Sequence, residues 1–119
     1  MNERSQYVEK LVHQCIDKYI EKRVAIVDHG KADTVIDPKM EAVIHRMFER
    51  CYEDGQFNQA IGVALEARRL DKVKEAIEKS RDVEDKIGYT FTIAQNIVRG
   101  NKQFRTDILR LLLNIYELK

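Results

Sequence analysis

Tyr52-Glu53-Asp54-Gly55-Gln56-Phe57-Asn58-Gln59-Ala60-Ile61-Gly62-Val63-Ala64-Leu65-Glu66 is the stretch that decides the fold. Gly55 can take the left-handed conformation that closes one helix, and Phe57 opens the next two residues later. Behind it the small residues Ala60, Gly62 and Ala64 are interspersed with the large Ile61 and Leu65. Small side chains let two helix axes approach, and large ones fill the groove between them. Glycine inside a helix costs about 1 kcal/mol relative to alanine, so a close crossing is expected at Gly62 to offset it. A leucine there should then overpack the crossing by about 1–3 kcal/mol. Phe57, Ala60, Ile61, Gly62, Ala64 and Leu65 are thus the predicted helix-pair packing residues.

Upstream, Asp37-Pro38 marks a helix start, with Asp as N-cap and Pro at the first helical position, where its missing N–H costs nothing. That helix buries Val43, Ile44, Met47, Phe48 and Cys51 and stops near Asp54-Gly55. The first helix starts from Ser5 as N-cap. Its stripe is Tyr7, Val8, Leu11, Val12, Cys15, Ile16, Tyr19 and Ile20, in pairs four apart. Between the two, residues 25–37 are predicted to be an exposed interhelical loop, around Asp28-His29-Gly30-Lys31-Ala32-Asp33.

Downstream, a third helix is expected from about Gln56 to Arg68 and a short fourth from Asp71 to Lys79. Asp82, with Asp85 three residues later, caps a fifth carrying Ile87, Phe91, Ala94, Ile97 and Val98 and ending at Gly100. Asn101 caps a sixth with Phe104, Ile108, Leu111, Leu112 and Ile115. No stretch alternates with period two, so the chain reads as all-α. Residues 1–119 form a single segment of six helices, stacked as antiparallel pairs in a right-handed α-solenoid. Leu109, Leu113 and Leu118 make the last helix apolar nearly all round, which is the pattern of a helix covered on several sides. The expectation is a fragment of a longer chain whose next helix packs there, or self-association of the fragment through this helix.

Composition bounds the function. Apolar residues make up 44% of the chain and charged residues 34%, too apolar for disorder and too charged for a membrane protein. The formal net charge is +1 with both signs interleaved, so no basic stripe is ready for nucleic acid. Arg99, Lys102, Arg105 and Arg110 read instead as a solvated helix face. Two cysteines are too few for a disulfide framework, no signal peptide is expected, and no apolar run approaches a membrane span. A reducing, soluble compartment is expected, with no nucleic acid or membrane partner.

The chemical constellations are weak. His13, Cys15, His45 and Cys51 lack zinc-ligand spacing, and both cysteines sit on apolar stripes, where a free thiol behaves as a small hydrophobe. No phosphate loop, nucleophile elbow or His-Glu-x-x-His occurs. No catalytic residue, metal or cofactor is expected, and the chain reads as a non-enzyme. Arg68-Arg69 is a candidate docking pair; the plainer reading is that the two arginines complement a helix C-terminus, worth about 0.3–1 kcal/mol each.

The run from Gly55 to Ala60 resembles the Gly-x-aromatic-x-x-Ala core of tetratricopeptide and related helix-pair repeats. The pattern does not recur about 34 residues away, so a divergent solenoid fits better than a tetratricopeptide peptide-binding adaptor, which is the alternative; a small helical enzyme or metal protein is remoter. A broader resemblance spans almost the whole chain. Ser5-Gln6-Tyr7-Val8-Glu9-Lys10-Leu11-Val12, Cys15-Ile16-Asp17, Met47-Phe48 with Arg50-Cys51, Gln59 through Asp71, and Asn101-Lys102-Gln103-Phe104-Arg105 are similar, in order, to the N-terminal helical region of the proteasome regulatory particle's largest non-ATPase subunit family. Residues 25–37 and 72–100 depart more from that pattern. The resemblance implies a non-catalytic scaffold segment in cytoplasm and nucleus. It would contact other regulatory-particle subunits in ubiquitin-dependent degradation.

Overall fold

The computed structural model describes residues 3–31, 33–97 and 101–117, with side chains within 10–31, 33–96 and 101–117. These residues form six helices and no strand: α1 (Glu3–His29), α2 (Pro38–Glu53), α3 (Phe57–Glu66), α4 (Leu70–Lys79), α5 (Val83–Ile97) and α6 (Lys102–Glu117). The all-α reading holds. The main contacts join each helix to the next and, for α1–α3, α3–α5 and α4–α6, to the helix two further on. That pattern is what hairpins laid side by side produce.

Local chemistry sets most boundaries. The Asp37 carboxylate accepts from the Lys39 N–H at 2.8 Å with Pro38 behind it. The Asn101 Oδ1 accepts from the Phe104 N–H at 2.9 Å to start α6. Three boundaries differ from expectation. The third helix stops at Glu66 rather than near Arg68, whose backbone is left-handed. Ser5 lies inside α1, which already starts at Glu3. Residues 25–29, expected in the loop, are the last turn of α1, so the connection covers only 30–37. The cause is tertiary: Arg23 and Asp28 are both held by the turn after α3, which keeps the intervening backbone helical. Val98, Gly100 and Leu118 lie outside the described residues.

The predicted packing residues do not all behave alike. Ala60, Ile61, Ala64 and Leu65 are fully buried, and Phe57 is half-buried with its ring stacked 6.1 Å from that of Tyr52. Tyr19, Ile44, Phe48, Val73, Ile77 and Ile108 complete the centre of the core. Gly62 corrects the sequence reading: it is half-buried, and a Cβ added to it would meet nothing within 4 Å. The close approach of helices runs along the Ala60–Ala64 side instead. On α5, Thr90 is fully buried while the expected Phe91 is 46% exposed. The Thr90 hydroxyl tolerates burial by donating to the Lys86 carbonyl one turn back, at 2.7 Å.

α2 and α3 end in the same hydrogen-bond pattern. After α2, the Gln56 and Gly55 N–H groups return to the Cys51 and Tyr52 carbonyls at 2.7 and 3.3 Å. After α3, the Arg69 and Arg68 N–H groups return to Ala64 and Leu65 at 2.8 and 3.1 Å. This arrangement requires one left-handed residue, supplied by Gly55 (φ 74°) in the first case and by Arg68 (φ 58°) in the second. A side chain in that conformation costs about 1–2 kcal/mol.

Arg68 offsets that cost through its guanidinium. Its Nη2 lies 2.9 Å from Asp28 Oδ2, with both side chains under a tenth exposed, and its Nε donates to the same carboxylate. Its Nη1 donates to the Leu65 and Glu66 carbonyls at 3.0 and 3.1 Å. Arg23 of α1 covers the next two, Ala67 and Arg68, both at 3.0 Å. Every orphan carbonyl at the end of α3 therefore has a partner. Asn101, while capping α6, also donates to Asp28 at 2.8 Å, and the Phe104 ring centroid lies 5.7 Å from the Arg68 guanidinium carbon. α1, the α3–α4 turn and the start of α6 meet at one carboxylate.

Gly62→Ala should stabilise the chain by about 1 kcal/mol in urea denaturation, since alanine is the better helix former and finds open space; a lowered midpoint would restore the close-crossing reading. Asp28→Ala should cost about 3–5 kcal/mol by leaving the Arg68 charge buried and unpaired. Adding Arg68→Gly should recover much of that, because it removes both the orphaned charge and the left-handed strain. Burial pushes the Asp28 carboxyl up, but the hydrogen bonds from Arg68 and Asn101 and the Arg68 charge outweigh it, holding the pKa below its ordinary 3.8. Since the folded pKa is the lower one, the stabilisation is present above about pH 4 and lost as pH falls through the depressed value. The stability gap between wild type and Asp28→Asn should therefore be constant from pH 5 to 7 and close below pH 4.

Candidate protein-interaction surface

Arg68 and Arg69, the candidate docking pair, are committed within the chain. The Arg68 side chain is 8% exposed and that of Arg69 20%. Arg69 grips Asp71 with its Nε and Nη2 at 3.2 and 2.7 Å, and its Nη1 donates to the Tyr19 hydroxyl at 2.9 Å and lies 3.5 Å from Glu41. It thereby joins α1, α2 and α4. The bond to Asp71 raises the Arg69 pKa further above an already high value, and the same bond holds the Asp71 carboxyl below its ordinary range. Burial raises the Tyr19 phenol despite the Arg69 bond. The sequence signal for this role was the plainer reading of two arginines at a helix C-terminus. The identities of Asp28 and Tyr19 as their partners, 40 and 50 residues away, carried no local signal.

The remaining reactive groups are scattered. Among the described residues no three His, Cys, Asp or Glu side chains are grouped as a metal ion requires. His13, His29 and His45 are exposed. Cys15 is half-buried and Cys51 buried, its Sγ 3.7 Å from Met47 Sδ. Burial raises both thiols, helped by Asp37 and Asp54 respectively, so both are protonated and weakly nucleophilic at neutral pH. No described helix is long and apolar enough to cross a membrane.

What the surface does offer is an apolar ridge. On α6, Leu109, Leu113 and Tyr116 follow at i, i+4 and i+7 and are 45%, 61% and 60% exposed. Phe104, Ile108, Leu112 and Ile115 of the same helix are buried against the core. Phe91 of α5 extends the ridge, and a cleft of about 270 Å³ runs between the two helices, floored by Ala94 and Ile108 and rimmed by Arg105 and Gln95. Anchors at i, i+4 and i+7 beside a cleft suit the docking of another helix.

The family model for the N-terminal domain of the 26S proteasome subunit RPN2 matches residues 1–119. The chain is 40% identical over 116 residues to the 26S proteasome non-ATPase regulatory subunit 1 of Drosophila melanogaster, covering 98% of this chain and 11% of that protein. It is 37% identical over 117 residues to homolog B of that subunit from Arabidopsis thaliana, covering 98% and 12%. Identity to the regulatory subunit RPN2 of Saccharomyces cerevisiae is 32% over 119 residues, covering 92% and 12%. The chain thus spans about an eighth or less of the relatives it matches. With a match over its full length, the chain belongs to the family of the RPN2 N-terminal domain of the 26S proteasome.

Proposed function

We propose that the chain is a non-catalytic scaffold segment of the proteasome regulatory particle, working through contacts with other regulatory-particle subunits in ubiquitin-dependent protein degradation. The single observation that supports this most is the α6 ridge of Leu109, Leu113 and Tyr116, an apolar surface of helix-docking spacing on a chain whose reactive groups are dispersed. The family match supplies the assembly in which such a ridge would be used, and the relatives are named as regulatory subunits. On this reading the stacked pairs are part of an α-solenoid, the segment acts in cytoplasm and nucleus, and it performs no chemistry of its own. In isolation the ridge pairs two copies of the chain.

Affinity capture from cell extract with the tagged chain should recover regulatory-particle subunits, identified by mass spectrometry. The exposed-site variant Leu113→Lys with Tyr116→Lys should lower that recovery about tenfold while leaving the helical circular-dichroism signal intact. Sedimentation velocity should show a concentration-dependent dimer for the wild type and a monomer for the variant. Recovery of no regulatory-particle subunit by a folded chain would sink the scaffold reading.

A further inference from the structure

A second hollow lies on the opposite side of the helix order, where the first half of α1 crosses the second half of α2 and the start of α3. Its volume is about 370 Å³, within the range of small binding pockets. The floor is apolar, made by Val12, Val43, Met47 and the buried Cys51. Arg46 and Arg50 stand on one wall, four residues and hence one helical turn apart. Both are exposed, and neither has a carboxylate within 4.0 Å among the described residues, although Glu49 and Glu53 follow three positions later on the same helix. Arg68 and Arg69, by contrast, are both paired. The Gln56 and Gln59 amides on the α3 side can bond a peptide backbone, and among the described residues Asp54 is the one acid on the rim.

We infer that this hollow docks an acidic segment of a partner protein, which sets one apolar side chain on the Val12–Met47 floor and presents carboxylates to Arg46 and Arg50. Charge complementarity selects the occupant. Two exposed guanidiniums one turn apart, without an ion-pair partner among the described residues, match two carboxylates on adjacent turns or on alternate residues of an extended strand, and each can be gripped bidentately. The floor adds a requirement that a free anion cannot meet. The inference rests on the reading that the segment works through protein contacts, and it names the chemistry of one such partner.

The test uses the 119-residue chain and a fluorescein-labelled peptide in which one leucine is flanked on each side by two glutamates. Fluorescence anisotropy should show saturable binding that weakens with added salt, with amide shifts in the chain's NMR spectrum confined to the residues around Met47 and Gln59. Arg46→Glu with Arg50→Glu should weaken binding about tenfold or more. The milder Arg46→Gln with Arg50→Gln should act in the same direction, and both changes are at exposed sites that leave the fold intact. Replacing the peptide's leucine by glycine should also lose most of the affinity. Binding that survives the arginine changes, shifts that map elsewhere, or no binding to a folded chain would each overturn the inference. So would equal affinity for inorganic phosphate or for an oligothymidylate, which would mark a plain anion site. Loss of the peptide site with capture of regulatory-particle subunits unchanged would leave the scaffold reading standing and remove only this one.

Discussion

A buried carboxylate that must not be left alone constrains the rest of the structure. Asp28 sits near the end of α1, nearly enclosed, and is satisfied only when Arg68 and Asn101 both reach it. Arg68 can do so only from a left-handed backbone conformation that a glycine would adopt more cheaply. Glycine would close the α3 turn equally well, as Gly55 closes α2, but it has no fork of donors to offer. Arginine carries five N–H groups in a fixed plane, and here they serve a carboxylate and two helix carbonyls together. Desolvating both charges and straining the backbone consume most of what the pairing gains. What the tie imposes is register: the end of α1, the α3–α4 turn and the start of α6 can sit in only one relation.

The second arginine repeats the logic on the other side of the turn. Arg69 spans Tyr19, Glu41 and Asp71, so two consecutive residues hold elements from most of the chain. Their inward commitment explains why a pair of arginines that looks like a docking patch is unavailable as one. Exposed cations lie elsewhere, Arg46 and Arg50 among them, on an ordinary helical stretch with no basic dipeptide to mark it. A basic dipeptide at a helix end is a conspicuous signal of the wrong thing.

Legibility in the sequence followed the range of the interaction. Asp37-Pro38, Gly55 and Asn101 could be read because a cap or a left-handed turn is decided by neighbours a few residues away. The α6 stripe could be read because 3.6-residue periodicity needs only the helix itself. The helical state of Ala25–His29 leaves no local signal because it depends on partners around residue 68. Gly62 is ambiguous for a different reason. A glycine in a helix is compatible with close approach or with open space, and only the position of the neighbouring helix separates the two. Thr90 went unnoticed as core because a hydroxyl that bonds its own helix backbone is not distinguished by pattern from one facing water.

The two surfaces left for partners differ in kind, and the ties explain why they can act independently. The α6 ridge is apolar and suits a helix, whereas the α1–α2 hollow combines an apolar floor with the exposed Arg46 and Arg50. Between them lie the fully buried side chains of α3 and α4 and the Asp28–Arg68–Asn101 junction. Sliding one helix pair past the other would strip a buried carboxylate and guanidinium of their partners, a loss of several kcal/mol that no small surface contact repays. Partners bound at the two surfaces would therefore be held at a fixed separation rather than coupled by movement. That fixed relation comes from polar groups buried at one turn as much as from the apolar core around them.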